Sequence, residues 1–434
     1  MRMAIAGLLA LGCLVGCGDE GGSSSGVGGT SGTGGTSGAG GSSGSGGAAG
    51  VPSALAAGAQ HVCALFADGS VRCWGSNSDG QLGLGSTETI GDDEPVSAGQ
   101  PVALGEAAIS IGAGRAHSCA LLESHRVRCW GSNSVGQLGV GNRELIGDDE
   151  PVSAGGFADV GGEVAELSVG GSHACVLLTN GSVRCWGLSM AGELGYGNLD
   201  TIGDDETPAS AGDVPLGFTP DHIWAGFFRT CAWNDQQVSC WGNNNAGQLG
   251  HGDTLSIGDD EPASAGALTA GFPLHAVGGG IAHTCFVGTG GELKCFGQGM
   301  DGQLGSGARD SLGDDEPLSA VSPLMIGDTQ KVGGGQHHTC ALKSDGQVRC
   351  WGAADVGQLG KGDTLSVDSA NATSDLDLPA GTDLACAFAA CCLLSADGVR
   401  CWGSGQNGVL GNGSTQNVGD DEPASAADPI RFGL

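Results

Sequence analysis

One sequence unit recurs seven times between Val51 and Leu434, and this repetition constrains the fold more than any other feature. The second copy runs from His117 to Gly141 and reads as a strand, a tight turn, a second strand and a glycine-rich loop. Repeats of about this length are typical of solenoids, propellers and tandem arrays, in which each unit buries apolar faces against its neighbours. The repetition therefore predicts the architecture well and says much less about the activity.

Each unit carries two cysteines, nine or ten positions apart, that we expect to pair across a hairpin. With a three-residue loop at Ala67-Asp68-Gly69, Cys63 faces Cys73 at a separation that a disulfide can bridge. Gly69 then takes the loop position that requires a positive φ. In the fourth unit the spacing is one residue shorter, which predicts a two-residue loop at Asp235-Gln236. The predicted pairs are Cys63–Cys73, Cys119–Cys129, Cys175–Cys185, Cys231–Cys240, Cys285–Cys295, Cys340–Cys350 and Cys392–Cys401.

Alternation along the strands predicts how the hairpins pack. In the second unit Cys119 and Leu121 point to one face and Ala120 and Leu122 to the other, so both faces are apolar and need cover. A blade stacked between two neighbouring blades of a closed β-propeller meets that need. The last residues, Pro429 to Phe432, match a segment that precedes the second unit. We therefore expect strands from both chain ends to complete a common sheet and close the ring.

Composition limits the partners and the compartment. The chain has 16 Lys and Arg against 48 Asp and Glu, a net charge of -32, which argues against nucleic acid because binding to phosphates needs clustered basic side chains. Its 18 cysteines indicate an oxidising compartment. Cys386 and Cys391 lie outside the regular pattern and either pair with each other or stay free.

Residues 1–17 have the features of an export signal. Arg2 gives a positive start, the apolar run from Ala4 to Val15 is too short to span a bilayer, and the segment ending at Cys17 resembles the lipobox of bacterial lipoproteins. Cys17 would then carry the lipid; a plain secretory signal is the alternative. Residues 18–50 are almost entirely small and polar, which predicts a disordered tether. The expected location is the bacterial cell envelope (outer membrane, surface or periplasm) or the medium.

The repeat motif resembles the regulator of chromosome condensation repeat. Its three parts are His-x-Cys-Ala-Leu, then Val-x-x-Trp-Gly-x-Asn, then Gly-Gln-Leu-Gly-x-Gly, and they cover residues 54–434. The resemblance implies an all-β, seven-bladed propeller of four-stranded blades, residues 51–434. The eukaryotic member exchanges nucleotide on a small GTPase and binds chromatin. Secreted bacterial members, among them an inhibitor of β-lactamases, bind other proteins through loops at one end of the ring, and an exported acidic chain is the better match to them.

Six units insert an acidic Gly-Asp-Asp-Glu loop, and the sixth unit does not. Clustered carboxylates suit Ca²⁺, but the spacing is not that of an EF-hand, so a turn bonded to backbone amides and ended by proline is the favoured interpretation. The calcium candidates are Asp92, Asp93, Glu94, Asp148, Asp149, Glu150, Asp204, Asp205 and Glu206.

Two other side-chain types recur at fixed positions. A histidine stands two residues before the first cysteine in five units, but one histidine per blade gives no four-ligand zinc site, so hydrogen bonding within the blade is expected. An arginine precedes the second cysteine in five units, and we expect it to pair with an acidic loop or to cap carbonyls. The histidines are His61, His117, His173, His283 and His338, and the arginines are Arg72, Arg128, Arg184, Arg349 and Arg400.

Residues 51–434 contain no catalytic triad, phosphate-binding loop or metalloprotease motif, so no catalytic residue, metal or cofactor is assigned. The sequence favours a monomeric scaffold that binds a protein partner through loops on one rim of the ring, tethered to a membrane by lipid on Cys17. The alternative is an envelope polysaccharide-binding protein or a propeller enzyme. Guanine nucleotide exchange is a third hypothesis, against which the export signal argues.

The lipobox assignment makes a direct prediction. We expect a radiolabelled fatty acid to be incorporated into the wild-type chain in bacteria and not into Cys17→Ser, because the mature amino-terminal cysteine carries the acyl groups. Cys13→Ser is the control and should label normally. Labelling of Cys17→Ser would contradict the assignment.

Overall fold

A computed structural model describes residues 50–432, which form seven antiparallel sheets, one per repeat, called blades 1 to 7 in chain order. The predicted signal and lipobox at 1–17 and almost all of the predicted tether lie outside the described residues. The strands are β1 (Pro52–Ala57), β2 (His61–Phe66) and β3 (Val71–Gly75); β4 (Ala108–Ala113), β5 (His117–Leu122) and β6 (Val127–Gly131); β7 (Val164–Val169), β8 (His173–Leu178) and β9 (Val183–Gly187); β10 (His222–Ala225), β11 (Arg229–Trp233), β12 (Val238–Gly242) and β13 (Ala267–Leu268); β14 (Leu274–Gly279), β15 (His283–Gly288) and β16 (Leu293–Gly297); β17 (Thr329–Gly334), β18 (His338–Lys343) and β19 (Val348–Gly352); and β20 (Gly381–Cys386), β21 (Ala390–Ser395) and β22 (Gly398–Gly403).

Helix is nearly absent from these residues. The α-helix Pro208–Ala211 and the short 3₁₀ turns lie mostly in the connections that follow the third strand of a blade. None of the described helices has the length or the apolar character to cross a bilayer. The 3₁₀ turns are Val96–Ala98, Val152–Ala154, Ala263–Gly266, Leu318–Ala320, Ala370–Ala372, Gln406–Gly408 and Ala424–Ala426.

The second and third strands of each blade pair in the predicted register. Cys63 lies opposite Cys73, and the Phe66 amide donates to the Ser70 carbonyl around a turn in which Gly69 has a φ of 78°. All seven predicted cysteine pairs are bonded in the structure, with Cα–Cα separations of 4.0–4.1 Å. Cys386 and Cys391, left open by the sequence, form an eighth disulfide between β20 and β21.

The four-stranded blade implied by the family resemblance is present only in blade 4. In the other blades the outer strand is reduced to isolated contacts. In blade 1, for example, Ile90 pairs with Gly75, and the Val102 amide donates to the Val71 carbonyl at 2.8 Å. The acidic loop, a proline and a 3₁₀ turn lie between those two contacts and carry the chain away from the sheet edge. The chain therefore leaves the sheet edge between the two contacts, and it does the same in blade 6 without an acidic loop, where Val367 pairs with Gly352 and the Leu376 amide donates to the Val348 carbonyl.

The blades pack through a buried tryptophan that crosses each seam. Trp130 is fully buried, and its indole Nε1 donates to the carbonyl oxygen of Gln81 in the preceding blade at 2.9 Å. Six of the seven blades make this bond at 2.9–3.1 Å. A buried N–H without an acceptor is costly, so each bond determines how one blade sits on the next.

The ring closes, but not by a shared sheet. Trp74 donates across the seam between blades 7 and 1 to the Val409 carbonyl, and the Leu55 amide donates to Asp383 at 2.8 Å. The expectation that both chain ends complete one sheet is not confirmed, because Ile430 pairs with Val399 of its own blade. Every blade supplies its own outer segment. The Ile430 amide donates to the Val399 carbonyl in blade 7, just as the Val102 amide donates to the Val71 carbonyl in blade 1.

Asp383 makes a buried polar side-chain contact at the seam between blades 7 and 1. Its carboxylate is 2% exposed, accepts the Leu55 amide and pairs with Lys331 at 2.5 Å. We expect Asp383→Ala to lower the free energy of unfolding by about 3 kcal/mol, since it leaves a half-buried ammonium and a buried amide unpaired. Urea denaturation measures this. The control is Asp345→Asn, whose exposed carboxylate lies 3.6 Å from Lys343 and should change stability by less than about 0.5 kcal/mol. Equal effects would contradict the role of Asp383.

Candidate functional site

One face of the ring is formed by long segments that we call the rim loops. Each begins after the third strand of a blade and ends where the chain returns to pair with that strand, as Ile90 does with Gly75. The loops between the first and second strands emerge at the same face, because the Ser76 amide donates to the Gln60 carbonyl at 2.8 Å. The rim loops are residues 76–89, 132–145, 188–201, 243–256, 298–311, 353–366 and 404–417.

A buried asparagine cross-links several of these loops internally. Asn77 donates from Nδ2 to the carbonyls of Ser86 and Glu88 at 2.7 and 2.8 Å, and its Oδ1 accepts the Leu82 amide. Asn133 repeats all three bonds in the next blade. Loops bonded in this way present their tips in a fixed arrangement, so little order has to be gained when a partner binds.

The acidic loops join neighbouring blades. The Gly85 amide donates to the Gly147 carbonyl at the start of the next acidic loop, and the equivalent bond spans every seam at 2.9–3.1 Å, with Asp368 accepting at the fifth. A side chain on Gly83 would meet the Trp130 indole, which explains the glycines of the Gly-Gln-Leu-Gly motif. The acidic loops are therefore structural parts of the ring. The sequence pattern also favours a structural role for them, as turns bonded to backbone amides.

In the acidic loops of blades 1 and 2 the glutamate accepts the amide of the glycine that begins the loop. Glu150 accepts the Gly147 amide at 3.2 Å, and burial with repulsion from neighbouring aspartates raises the pKa of the Glu150 carboxyl. The carboxylates of one loop lie within 4.8 Å of one another, whereas each loop belongs to a different blade. Calcium binding at these groups stays a prediction.

Large apolar side chains are exposed chiefly on the rim loops of blades 2 to 6. Leu255 and Leu365 are each 70% exposed. Among the described residues only two other large apolar side chains are exposed, Ile109 near the start of β4 and Met325 in the segment before β17, and neither lies on a rim loop. The exposed apolar residues of the rim loops are Leu145, Met190, Leu199, Leu255, Met300 and Leu365.

The axis of the ring is filled at this face. Ala59, Phe227 and Phe388, from blades 1, 4 and 7, are buried in one cluster, with Phe228 and Ile281 packed against it. Blade 4 lies across the ring from blades 1 and 7, so contact among these residues requires them to meet at the axis. The loop face is therefore continuous from the axis to the rim.

The histidines bond between blades, which corrects the expectation of bonds within a blade. The His61 Nε2 lies 2.8 Å from the Ser118 hydroxyl of the next blade, and His173 reaches Thr230 in the same way. Burial lowers the pKa of His61 to about 4, so its ring is neutral. His117 faces an alanine, Ala174, at this position and has no hydrogen-bond partner for either ring nitrogen.

The arginines cap carbonyls of the outer segment. Arg72 donates to the Gly99 carbonyl and Arg128 to the Val152 carbonyl at 3.0 Å. Arg349 also pairs with Asp375 at 2.7 Å, which lies outside the acidic loops. These side chains hold the segment that replaces the fourth strand.

One cluster of a histidine and three disulfide-bonded cysteines was missed from the sequence. His338 and Cys340 of blade 6 lie beside Cys386 and Cys391 of blade 7, with one donor atom from each within 4.8 Å of the others. The sequence signal is that Cys391 occupies the position of Ser118 and Thr230, which face a histidine of the preceding blade. The grouping depends on that seam contact and not on spacing within a repeat.

Comparison with known proteins identifies the family. Two models of the regulator of chromosome condensation (RCC1) repeat match this chain, one at residues 53–81, 108–137, 164–190 and 330–358, the other at residues 68–121. The ultraviolet-B receptor UVR8 of Arabidopsis thaliana is 30% identical over 364 residues, which are 83% of this chain and 79% of the receptor. This chain belongs to the RCC1 repeat family.

Other RCC1 repeat proteins resemble it more remotely. The human E3 ubiquitin-protein ligase HERC2 is 27% identical over 322 residues, covering 73% of this chain and 6% of the ligase. Yeast RCC1 (Prp20), solved bound to Kap60, superposes with a TM-score of 0.66 at 20% identity, covering 86% of this chain and 85% of that chain. Human WBSCR16 gives a TM-score of 0.63 at 21% identity, over 78% and 84% of the two chains. These structures support the propeller fold.

Glu193 gives the loop face a pH-dependent stability. It replaces the glutamine found at this position in blades 1, 2, 4, 5 and 6, accepts the Ala191 amide at 2.8 Å and is 2% exposed. Burial raises the pKa of Glu193 to about 7. Because the folded-state pKa is raised, the stability from this group is complete below about pH 4.5 and is lost as the pH rises through about 7.

We therefore expect Glu193→Gln to raise the free energy of unfolding by about 1–2 kcal/mol at pH 8 and to have little effect at pH 5. Urea denaturation across this pH range measures it. The matched control is Gln137→Glu in blade 2, which should lower stability at pH 8 more than at pH 5. A Glu193→Gln effect that does not depend on pH would contradict the assignment.

Proposed function

We propose that this RCC1 repeat protein is exported, anchored by lipid on Cys17, and binds a partner protein through the rim loops of blades 2 to 6. The observation that carries the proposal is that, of the eight large apolar side chains exposed within residues 50–432, six lie on those loops. A soluble protein that places apolar tips on one face, on a rigid base, has a surface suited to protein binding. Yeast RCC1 (Prp20), a structural neighbour, was solved bound to another protein, Kap60, which supports a protein-binding class of function.

The charge of the same face specifies the chemistry of the partner. Six acidic loops surround the rim loops, and the central aspartate of each is exposed. The two rim-loop arginines are paired, Arg143 with Asp204 and Arg309 with Asp368. The face is therefore acidic with apolar tips, so it suits a partner surface that is basic and carries apolar side chains, and its charge speeds association at low salt.

The loop face has two parts: a larger arc with exposed apolar side chains on blades 2 to 6, and a smaller polar arc on blades 7 and 1. Their rim loops, 404–417 and 76–89, have no exposed large apolar side chain, because the apolar residues in them are buried or, like Leu84, partly buried. A partner bound to blades 2 to 6 would leave this polar arc uncovered. The arc therefore supplies positions for control substitutions.

The test is capture of a partner from native envelope extracts, followed by affinity measurement with variants. We expect Leu255→Glu with Leu365→Glu to weaken binding of the captured protein about 10-fold or more, since both side chains would bring charge into an apolar contact. Met325→Glu is the matched control, because Met325 is 81% exposed and lies away from the rim loops, and it should bind as the wild type does.

Two outcomes would contradict the proposal. One is a captured protein that binds the double variant and the wild type equally, and the other is equal loss of binding in Met325→Glu. Retention of envelope polysaccharide without any protein would favour the glycan-binding alternative. Acceleration of guanine nucleotide release from a small GTPase would favour nucleotide exchange.

A further inference from the structure

Blades 6 and 7 bring two disulfides into contact. Cys340–Cys350 joins β18 to β19, and Cys386–Cys391 joins β20 to β21. Across the seam the Cys391 Sγ lies 3.5 Å from the Cys340 Sγ. In blade 3 the cysteine equivalent to Cys340 is Cys175, which faces a hydroxyl, Thr230 Oγ1, at 3.8 Å.

The contact is enclosed and has an imidazole beside it. Cys340, Cys386 and Cys391 are at most 1% exposed. The His338 Nε2 lies 3.2 Å from the Cys391 Sγ, and no hydrogen-bond partner is found for its Nδ1. When the Cys386–Cys391 bond is open, a ring N–H at Nε2 would donate to the Cys391 sulfur and stabilise it as a thiolate, the form that attacks a disulfide in thiol–disulfide exchange.

We propose that Cys391 is the centre of a thiol–disulfide exchange site that can switch its partner from Cys386 in its own blade to Cys340 in the neighbouring blade. When Cys340 is a thiolate it attacks the Cys391 Sγ, and the Cys340–Cys391 bond forms as the Cys386–Cys391 bond breaks. The electron pair leaves with Cys386, which takes up a proton. The number of disulfides is unchanged, so the step needs no oxidant or reductant.

The geometry needs only a small movement. Forming the new bond shortens the Cys340–Cys391 sulfur separation from 3.5 Å to about 2.05 Å. In the wild type the exchange starts when a dithiol delivers two electrons to Cys340–Cys350 and frees Cys340. The product links β18 to β21 and turns the seam between blades 6 and 7 into a covalent joint.

Two single variants test the exchange from opposite sides. Cys350→Ala leaves Cys340 without its partner, and we expect a Cys340–Cys391 disulfide with Cys386 as the free thiol. Cys386→Ala leaves Cys391 without its partner, and we expect the same disulfide with Cys350 free. Each full chain is produced in the periplasm, quenched with iodoacetamide under denaturing conditions, and mapped by mass spectrometry of non-reduced peptides.

The control is Cys185→Ala, the equivalent of Cys350→Ala in blade 3. It frees Cys175 opposite Thr230, so Cys175 should be alkylated with all other disulfides intact. Alkylated Cys340 beside an intact Cys386–Cys391 bond in Cys350→Ala would overturn the proposal, and so would comparable rearrangement in Cys185→Ala. If Cys350→Ala does not accumulate as folded protein, the Cys386→Ala map decides: alkylated Cys391 with Cys340–Cys350 intact overturns the proposal.

Discussion

The indole hydrogen bond that crosses six of the seven seams is the contact on which the ring depends. The tryptophan is buried between two blades, and its N–H finds its acceptor at the start of the Leu-Gly turn of the preceding rim loop, as Trp130 does at Gln81. A bond that orients one blade on the next therefore also fixes the base of a rim loop. Binding surface and core are parts of one network, which explains how long, glycine-rich loops can hold apolar tips exposed in defined positions.

The seam between blades 4 and 5 shows what happens when that bond is lost. Blade 5 has Phe296 in place of tryptophan and so has no N–H to donate. Arg229 of blade 4 stands where five other blades have a histidine. Its guanidinium donates across the same seam to Thr284 and to the carbonyls of Gly280, Ile281 and His283. Burial lowers the pKa of Arg229 to about 9, because burying a group disfavours its charged form. A neutral indole donor does not carry this desolvation penalty of a charge. The polar contact at this seam has moved toward the axis.

Whatever was local in the repeat could be predicted from the sequence. Strand order, hairpin register and the shortened loop at Asp235-Gln236 follow from alternation, turn chemistry and cysteine spacing, since each involves residues close in sequence. What failed involved contacts between repeats. His61 bonds to Ser118 across a seam, and Ile430 pairs with Val399 of its own blade instead of joining blade 1. One repeat contains no information about which side chain of the next repeat faces it.

The same reasoning shows where individual function arises in a repeat protein. Positions that are alike in all seven blades build the ring, so the distinguishing chemistry lies where single blades depart from the pattern. Glu193 replaces a glutamine, Arg229 a histidine and Cys391 a serine or threonine, and each is buried at a seam. The exposed departures are the apolar tips of blades 2 to 6. Because the frame beneath them is shared and cross-linked, such substitutions can change binding or redox behaviour while the propeller itself is kept.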